Sequence, residues 1–407
     1  MIGSVHFDSA LVILAMLTIG LVIVFAVGTR TNTVGPCVTS YAAHVVLSLA
    51  LFYWLGMSAL GPDAGTYDQL AGQVADSFAG TSQAINFAQG KEGWIYVLGA
   101  LYFVVGKVPE AGLLLIATLM GILPAILAVS SRLLGWQRSA TSAAWISVFL
   151  PSLLIWPSSF LREGPSIFVL SLMVLAIALH QAQRTLPAGL LLLFSAFCMM
   201  WIRPIVGIAA LIAVGIGALL LTPRGSGSIG RSVLFLVPAA LVLPLGLIRG
   251  DQLDLAAAGV LRYNLGIGAT TSTGATGEGF DTTLGGIMGS LRDLPGASFG
   301  PFPWEAFSQP RPLVVDGLTF LALALLAFSA LRFRESRRGA LALLLPAVAI
   351  LFVVAATFGN YGFVVRQRSQ AAPFLVPVAA AGWVLYRQRR QGIALKLHEP
   401  AGAVTNA

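Results

Sequence analysis

Short polar stretches at the ends of apolar runs hold the residues that could do chemistry. In "GPDAGTYDQLA", residues 61–71, Asp63 and Tyr67 are spaced i, i+4. A helix with Pro62 in its first turn therefore presents both on one face and turns Asp68 away. In "WPSSFLREGPS", 156–166, Arg162 and Glu163 stand side by side between two apolar runs. Arg203 marks a tight turn in "MMWIRPIVG", and Arg366 and Arg368 fall in "GNYGFVVRQRSQAAPFL". Guanidinium groups offer fixed, bidentate donors that suit phosphate. Several of them around a carboxylate would make an anion pocket with a base beside it. Plainer assignments stay open for each: Asp63 as an acid favoured by a helix N-terminus, Arg162 and Glu163 as an interfacial ion pair, Arg366 and Arg368 as lipid-headgroup contacts.

Other chemistries lack their residues. The sequence has no P-loop, no GxGxxG between a strand and a helix, no HExxH, no paired CxxC and no nucleophile elbow. Histidine is scarce, and His44 falls inside an apolar run, where a hydrogen bond to a neighbouring helix is the simplest use for it. Cys37 and Cys198 lie in or near separate runs, so no disulfide framework is expected.

The elements that must position these residues follow from composition. The 407 residues are 57% hydrophobic and 10% charged, with a mean hydropathy of +0.86. A soluble domain carries roughly 25% charged residues, so the chain reads as a polytopic, all-α membrane protein. The first apolar run has no basic segment before it and no small-residue cleavage site after it, so it reads as a retained helix. The formal charge of +8 gathers at helix ends, which points to membrane topology and away from nucleic acid.

Apolar runs bounded by Gly, Pro or charge predict about eleven spans: 9–28, 38–60, 111–131, 139–157, 164–181, 186–201, 204–221, 231–248, 313–332, 339–358 and 370–386. The run 93–106 has 14 residues, about 21 Å of helix against roughly 30 Å of hydrocarbon, and is expected not to cross. With the N-terminus outside, the cytoplasmic side then receives 14 of the 24 Lys and Arg but only Glu335 and Glu399 of the 16 acids. That split obeys the positive-inside rule and places the C-terminal tail, 387–407, in the cytoplasm. Residues 1–386 form one transmembrane domain with two substantial outer segments, 61–110 and the Gly/Thr-rich 249–312. All the candidate residues fall on the outer face of what is expected to be a cell's inner membrane.

Taken together, "PDAGTYDQLA" and the stretch "LLGWQRSATSAAWISVFLPSLLIWPSSFLREGPSIFVLSL" resemble the GT-C superfamily of integral-membrane glycosyltransferases. That class includes protein mannosyltransferase-like and aminoarabinose-transferase-like enzymes. The segments "PFPWEAFSQPRPLVVDGL" and "GNYGFVVRQRSQAAPFLVPVAAAGW" are similar to membrane proteins of bacterial polysaccharide loci. The resemblance spans roughly 50–386. It implies a GT-C-like bundle with juxtamembrane helices on the outer face, and inverting transfer from a polyprenyl-phosphate-linked sugar donor to a glycan, lipid or protein acceptor. By position Asp63 matches the family's first-loop carboxylate and Glu163 its second acid. Tyr67 would shape the acceptor pocket, and Arg162, Arg203, Arg366 and Arg368 would hold the donor phosphate. The first loop lacks an adjacent acid pair, so no metal and no other cofactor is expected. Two other readings stay open: a polymerase joining lipid-linked repeat units, and a transporter or flippase of lipid-linked sugars. The flippase would place ionisable groups near the midplane.

Overall fold

The apolar runs become helices. This computed structural model describes residues 7–57, 63–81, 92–221, 228–242, 284–302, 304, 311–356 and 361–391, and every regular element among them is helical. Helices α1 (Phe7–Arg30) and α2 (Val34–Ala50) make the first hairpin, and α2 runs on through one π-helical turn, Leu51–Leu55. Then come α3 (Ala64–Phe78), α4 (Glu92–Val105), α5 (Pro109–Leu133), α6 (Ala140–Phe149) and α7 (Pro151–Leu154). The long helices α8 (Glu163–Gln181), α9 (Thr185–Ile202) and α10 (Pro204–Leu221) follow, with α11 (Ser228–Ala240) after them. Last are α12 (Leu284–Phe299), α13 (Arg311–Ala330), α14 (Arg334–Ala356), α15 (Tyr361–Arg368) and α16 (Ala372–Arg390).

Among the described residues, nine segments are long and apolar enough to cross a membrane, which makes this a multi-pass membrane protein. They are Ser9–Arg30, Val34–Leu55, Pro109–Leu133, Glu163–Gln181, Thr185–Ile202, Pro204–Leu221, Arg311–Ala330, Arg334–Ala356 and Tyr361–Arg390. Burial within them is 78% for Pro109–Leu133 and 83% for Tyr361–Arg390 but 11% for Ser9–Arg30. The third and last of these segments, α5 and α15–α16, are therefore the core of the bundle, and α1 is peripheral.

Two of the expected eleven spans are not among the nine. The run 139–157 is not one helix: Leu150 is extended (ψ 117°) ahead of Pro151, and the chain breaks into α6 and α7. Proline disfavours the helical conformation in the residue before it, which is the physical reason. Neighbouring side chains cover the broken backbone. His44 Nε2 lies 3.0 Å from the Leu153 carbonyl, and Ser48 Oγ donates to the Ser158 carbonyl at 2.9 Å. Breaks within a bundle are tolerated when neighbours meet the freed groups in this way. Of the run 231–248, α11 covers the first part, and 243–248 lie outside the described residues. The Gly/Thr-rich part of 249–312 and the tail beyond Gln391 also lie outside them.

Contacts sort the helix ends into two groups. At one end Arg132 donates to the Thr31 carbonyl (2.7 Å), Arg231 to Gln183 (2.9 Å) and Arg338 to the Leu221 carbonyl. At the other, Trp94 Nε1 donates to the Phe160 carbonyl (3.4 Å) and Arg162 Nη1 to the Ile202 carbonyl (3.1 Å). Helix α4 stays at this second end. A Cβ at Gly93 would come within 2.8 Å of the Trp201 carbonyl oxygen, and Gly112, in the first turn of α5, faces both Leu98 and Phe160. This 14-residue helix thus meets the same end of the bundle with its start and its middle.

Candidate functional site

The second end is where the candidate residues meet. Asp63 occupies the N-cap position of α3, yet its side chain makes no capping hydrogen bond. Its carbonyl accepts the Tyr67 N–H at 3.0 Å, so the i, i+4 pair does share the first turn. Tyr67 is buried, and burial pushes its hydroxyl up from the ordinary tyrosine range. Arg162, Glu163, Arg203 and Asp63 are all near enough to act on that hydroxyl, the arginines opposing the shift and the acids adding to it.

Glu163 opens α8, where the helix dipole favours a carboxylate, and it is 1% exposed. Arg203 is the single residue between α9 and α10, held extended at φ −154°, ψ 79° ahead of Pro204. From that corner its guanidinium reaches two acceptors: Nη2 donates to Glu163 Oε1 and Nη1 to Gln367 Oε1. Arg366, on α15, places Nε 3.0 Å from the same Glu163 oxygen, a charge contact whose N–H is not directed at it. Arg162 adds a third guanidinium, which acts on both Glu163 and Arg203. Burial, then Arg162, push the Arg203 guanidinium down to about 9 against the pull of Glu163, so it stays charged at neutral pH.

Six of the seven predicted residues therefore come together: Asp63, Tyr67, Arg162, Glu163, Arg203 and Arg366. Glu163 is held by arginines on several sides, which makes it their counter-ion. Asp63 is the half-buried carboxylate of the cluster. Asp68 faces away, as its position on α3 predicts. Tyr102 donates to its Oδ1 at 2.6 Å, and burial pushes its carboxyl up against that bond.

Arg368 is the exception. It is fully buried in a separate cluster, its Nη2 2.7 Å from Asp316 Oδ2 and its Nη1 on the carbonyls of Ser298 and Gly300. Ser152 Oγ donates to the other Asp316 oxygen at 2.6 Å, and the Phe320 ring lies 5.3 Å from the guanidinium carbon. This cluster ties α7, α12, α13 and α15 together and turns Arg368 away from Glu163.

Sequence reasoning missed Asp316, Gln367 and Gln370. Asp316 carried a signal, being an acid within an apolar run. The two glutamines carried none beyond their place among arginines. His44 does bridge helices, with Nδ1 2.7 Å from its own Ser40 carbonyl and Nε2 at Leu153. Cys37 and Cys198 are not paired. Among the described residues no three His, Cys, Asp or Glu side chains gather in a way that could hold a metal ion.

Three guanidinium groups around one buried carboxylate, with a second carboxylate and a tyrosine nearby, are groups whose chemistry suits an anion beside a hydroxyl. No protein-family model, no curated protein and no solved structure matches this chain.

Proposed function

We propose that the chain is a membrane glycosyltransferase that moves a sugar from a polyprenyl-phosphate donor to an acceptor hydroxyl on the extracytoplasmic face. The observation that carries this reading is the convergence of Asp63, Tyr67, Arg162, Glu163, Arg203 and Arg366 at one end of the bundle. In this scheme Asp63 takes the proton of the acceptor hydroxyl as its oxygen bonds to the anomeric carbon. The bond from that carbon to the phosphate oxygen breaks, and the electron pair leaves with the lipid phosphate. Arg162, Arg203 and Arg366 neutralise the departing charge, and Glu163 keeps them in place. A single displacement inverts the anomeric centre. A phosphate leaving group and one positioned base need no nucleotide-binding fold, and the donor's lipid tail suits a bundle set in a bilayer. A carrier would draw support from the buried Asp316–Arg368 pair. That pair is held by carbonyls and Ser152, and Asp316 lies only about a turn and a half into α13, so it serves the bundle as a brace.

The test follows sugar transfer from a polyprenyl-phosphate donor in detergent, with melting temperature as the control. Asp63→Asn should retain the wild-type melting temperature while transfer falls by roughly 10²–10⁴, the usual span for a lost general base. Asp68→Asn should matter far less. Wild-type transfer by Asp63→Asn together with a dead Glu163→Gln would move the base to Glu163.

A further inference from the structure

Arg203 is held by two side chains, and one of the two is neutral. Its Nη2 donates to Glu163 and its Nη1 to the amide oxygen of Gln367. Gln367 is itself fixed: Gln370 Nε2 donates to the same oxygen at 2.8 Å. An amide oxygen that receives two donors cannot turn over, because the flipped amide would present N–H groups to a guanidinium and to another amide. Both glutamines are buried, Gln367 at 5% exposure and Gln370 at 0%. Arg203 keeps one N–H, Nε, without a partner although it is buried, and Glu163 Oε2 and Gln370 Oε1 are likewise unpartnered. Buried polar groups are nearly always paired, so donors and acceptors of this kind are ones that water, an ion or a ligand can meet.

We propose that Gln367, oriented by Gln370, is the positioning residue of the anion site. It holds Arg203 through Nη1, while Glu163 takes Nη2, without cancelling any of its charge. This rests on the reading of the arginines as a clamp for a phosphorylated lipid head. The point of an amide here is its neutrality: a carboxylate would hold Arg203 at least as firmly but would compete with the ligand for it. Hold and charge can therefore be separated by mutation. Gln367→Met removes the oxygen and leaves Arg203 Nη1 unmet. Gln367→Glu keeps an oxygen on Arg203 and adds a second anion.

The experiment measures the affinity of the purified full chain for farnesyl phosphate in detergent, by tryptophan fluorescence, with farnesol as the uncharged control and melting temperature alongside. The wild-type protein should bind farnesyl phosphate at least about tenfold more tightly than farnesol, the scale of one charge-assisted hydrogen bond. Gln367→Glu should melt within a few degrees of wild type yet bind farnesyl phosphate about tenfold or more weakly. Gln367→Met should melt lower than Gln367→Glu and bind more tightly than it. That inverted order is the signature of positioning, because a residue of purely structural importance would make affinity follow stability. Wild-type affinity in Gln367→Glu, or affinity that tracks melting temperature across both variants, overturns the inference and leaves the clamp standing. Equal binding of farnesol and farnesyl phosphate by the wild-type protein overturns the clamp and the inference with it. If Gln367→Met does not fold, the comparison of Gln367→Glu with wild type still decides.

Discussion

Arg366 and Arg368 sit two residues apart on α15, and a helix sends such neighbours to different faces. One meets Glu163 and stays 17% exposed; the other meets Asp316 and is fully buried. Their substitutions should separate cleanly. Arg366→Lys keeps the charge but loses the planar fork, so farnesyl phosphate affinity should fall about tenfold with little change in melting temperature. Arg368→Met strands Asp316 in the bundle interior, a loss of about 3–5 kcal/mol for a broken buried pair. The double replacement Arg368→Met with Asp316→Leu should recover most of that stability, because an apolar pair of similar size needs no partner. Thermal unfolding in detergent reads both. A single variant at Arg368 that melts like wild type would show that Asp316 is satisfied without it.

At the scale of elements, Pro151 decides how the site is mounted. It ends α6 and frees backbone groups that α2 then meets through His44 and Ser48, so the segment from Leu153 to Ser158 is stitched to α2 from the side. That segment leads directly to Arg162 and Glu163. His44→Phe keeps a ring of similar size but leaves the Leu153 carbonyl unmet, a loss of about 1–3 kcal/mol. It should lower the melting temperature and, through the loosened segment, the affinity for farnesyl phosphate. An unchanged melting temperature would mean that the break needs no brace from α2. The same stretch shows what was legible in the sequence. Boundaries marked by Pro, Gly and Arg are local signals, and 164–181 and 204–221 reappear as α8 and α10 with at most a residue's difference. The break at Pro151 was hidden because a continuous apolar run outweighed a single proline. Six site residues could be placed at one face because helix-end position alone determines that. The facing of Arg368 could not, because it depends on Asp316 of α13, far away in sequence, and on the phase of α15.

At the scale of the whole molecule, the unequal charges of the two ends carry an orientation. The end opposite the site gathers Arg30, Arg132, Arg138, Arg184, Arg231, Arg334, Arg337, Arg338 and the run at the close of α16, with Glu335 the acid among them. The positive-inside rule then predicts that end in the cytoplasm and the arginine–carboxylate cluster outside. The two ends are tied to opposite faces of one bundle, so four positions test the whole arrangement. In a chain with Cys37 and Cys198 replaced by serine, single cysteines at the exposed positions Gln137 and Glu335 should resist a membrane-impermeant maleimide in intact cells and react after lysis. Cysteines at the exposed positions Ala79 and Lys107 should react in intact cells. These two flank α4, and the ion pair of Lys107 with Asp76 at 2.8 Å, exposed on both partners, holds them at one level. That pair contributes little stability of its own, about 0–1 kcal/mol, so the level must be set by the packing of α4 on Trp201 and α5. Reaction of Ala79→Cys but not Lys107→Cys in intact cells would mean that α4 crosses the bilayer. Every helix after it would then reverse, and the basic end would face outward against its charge.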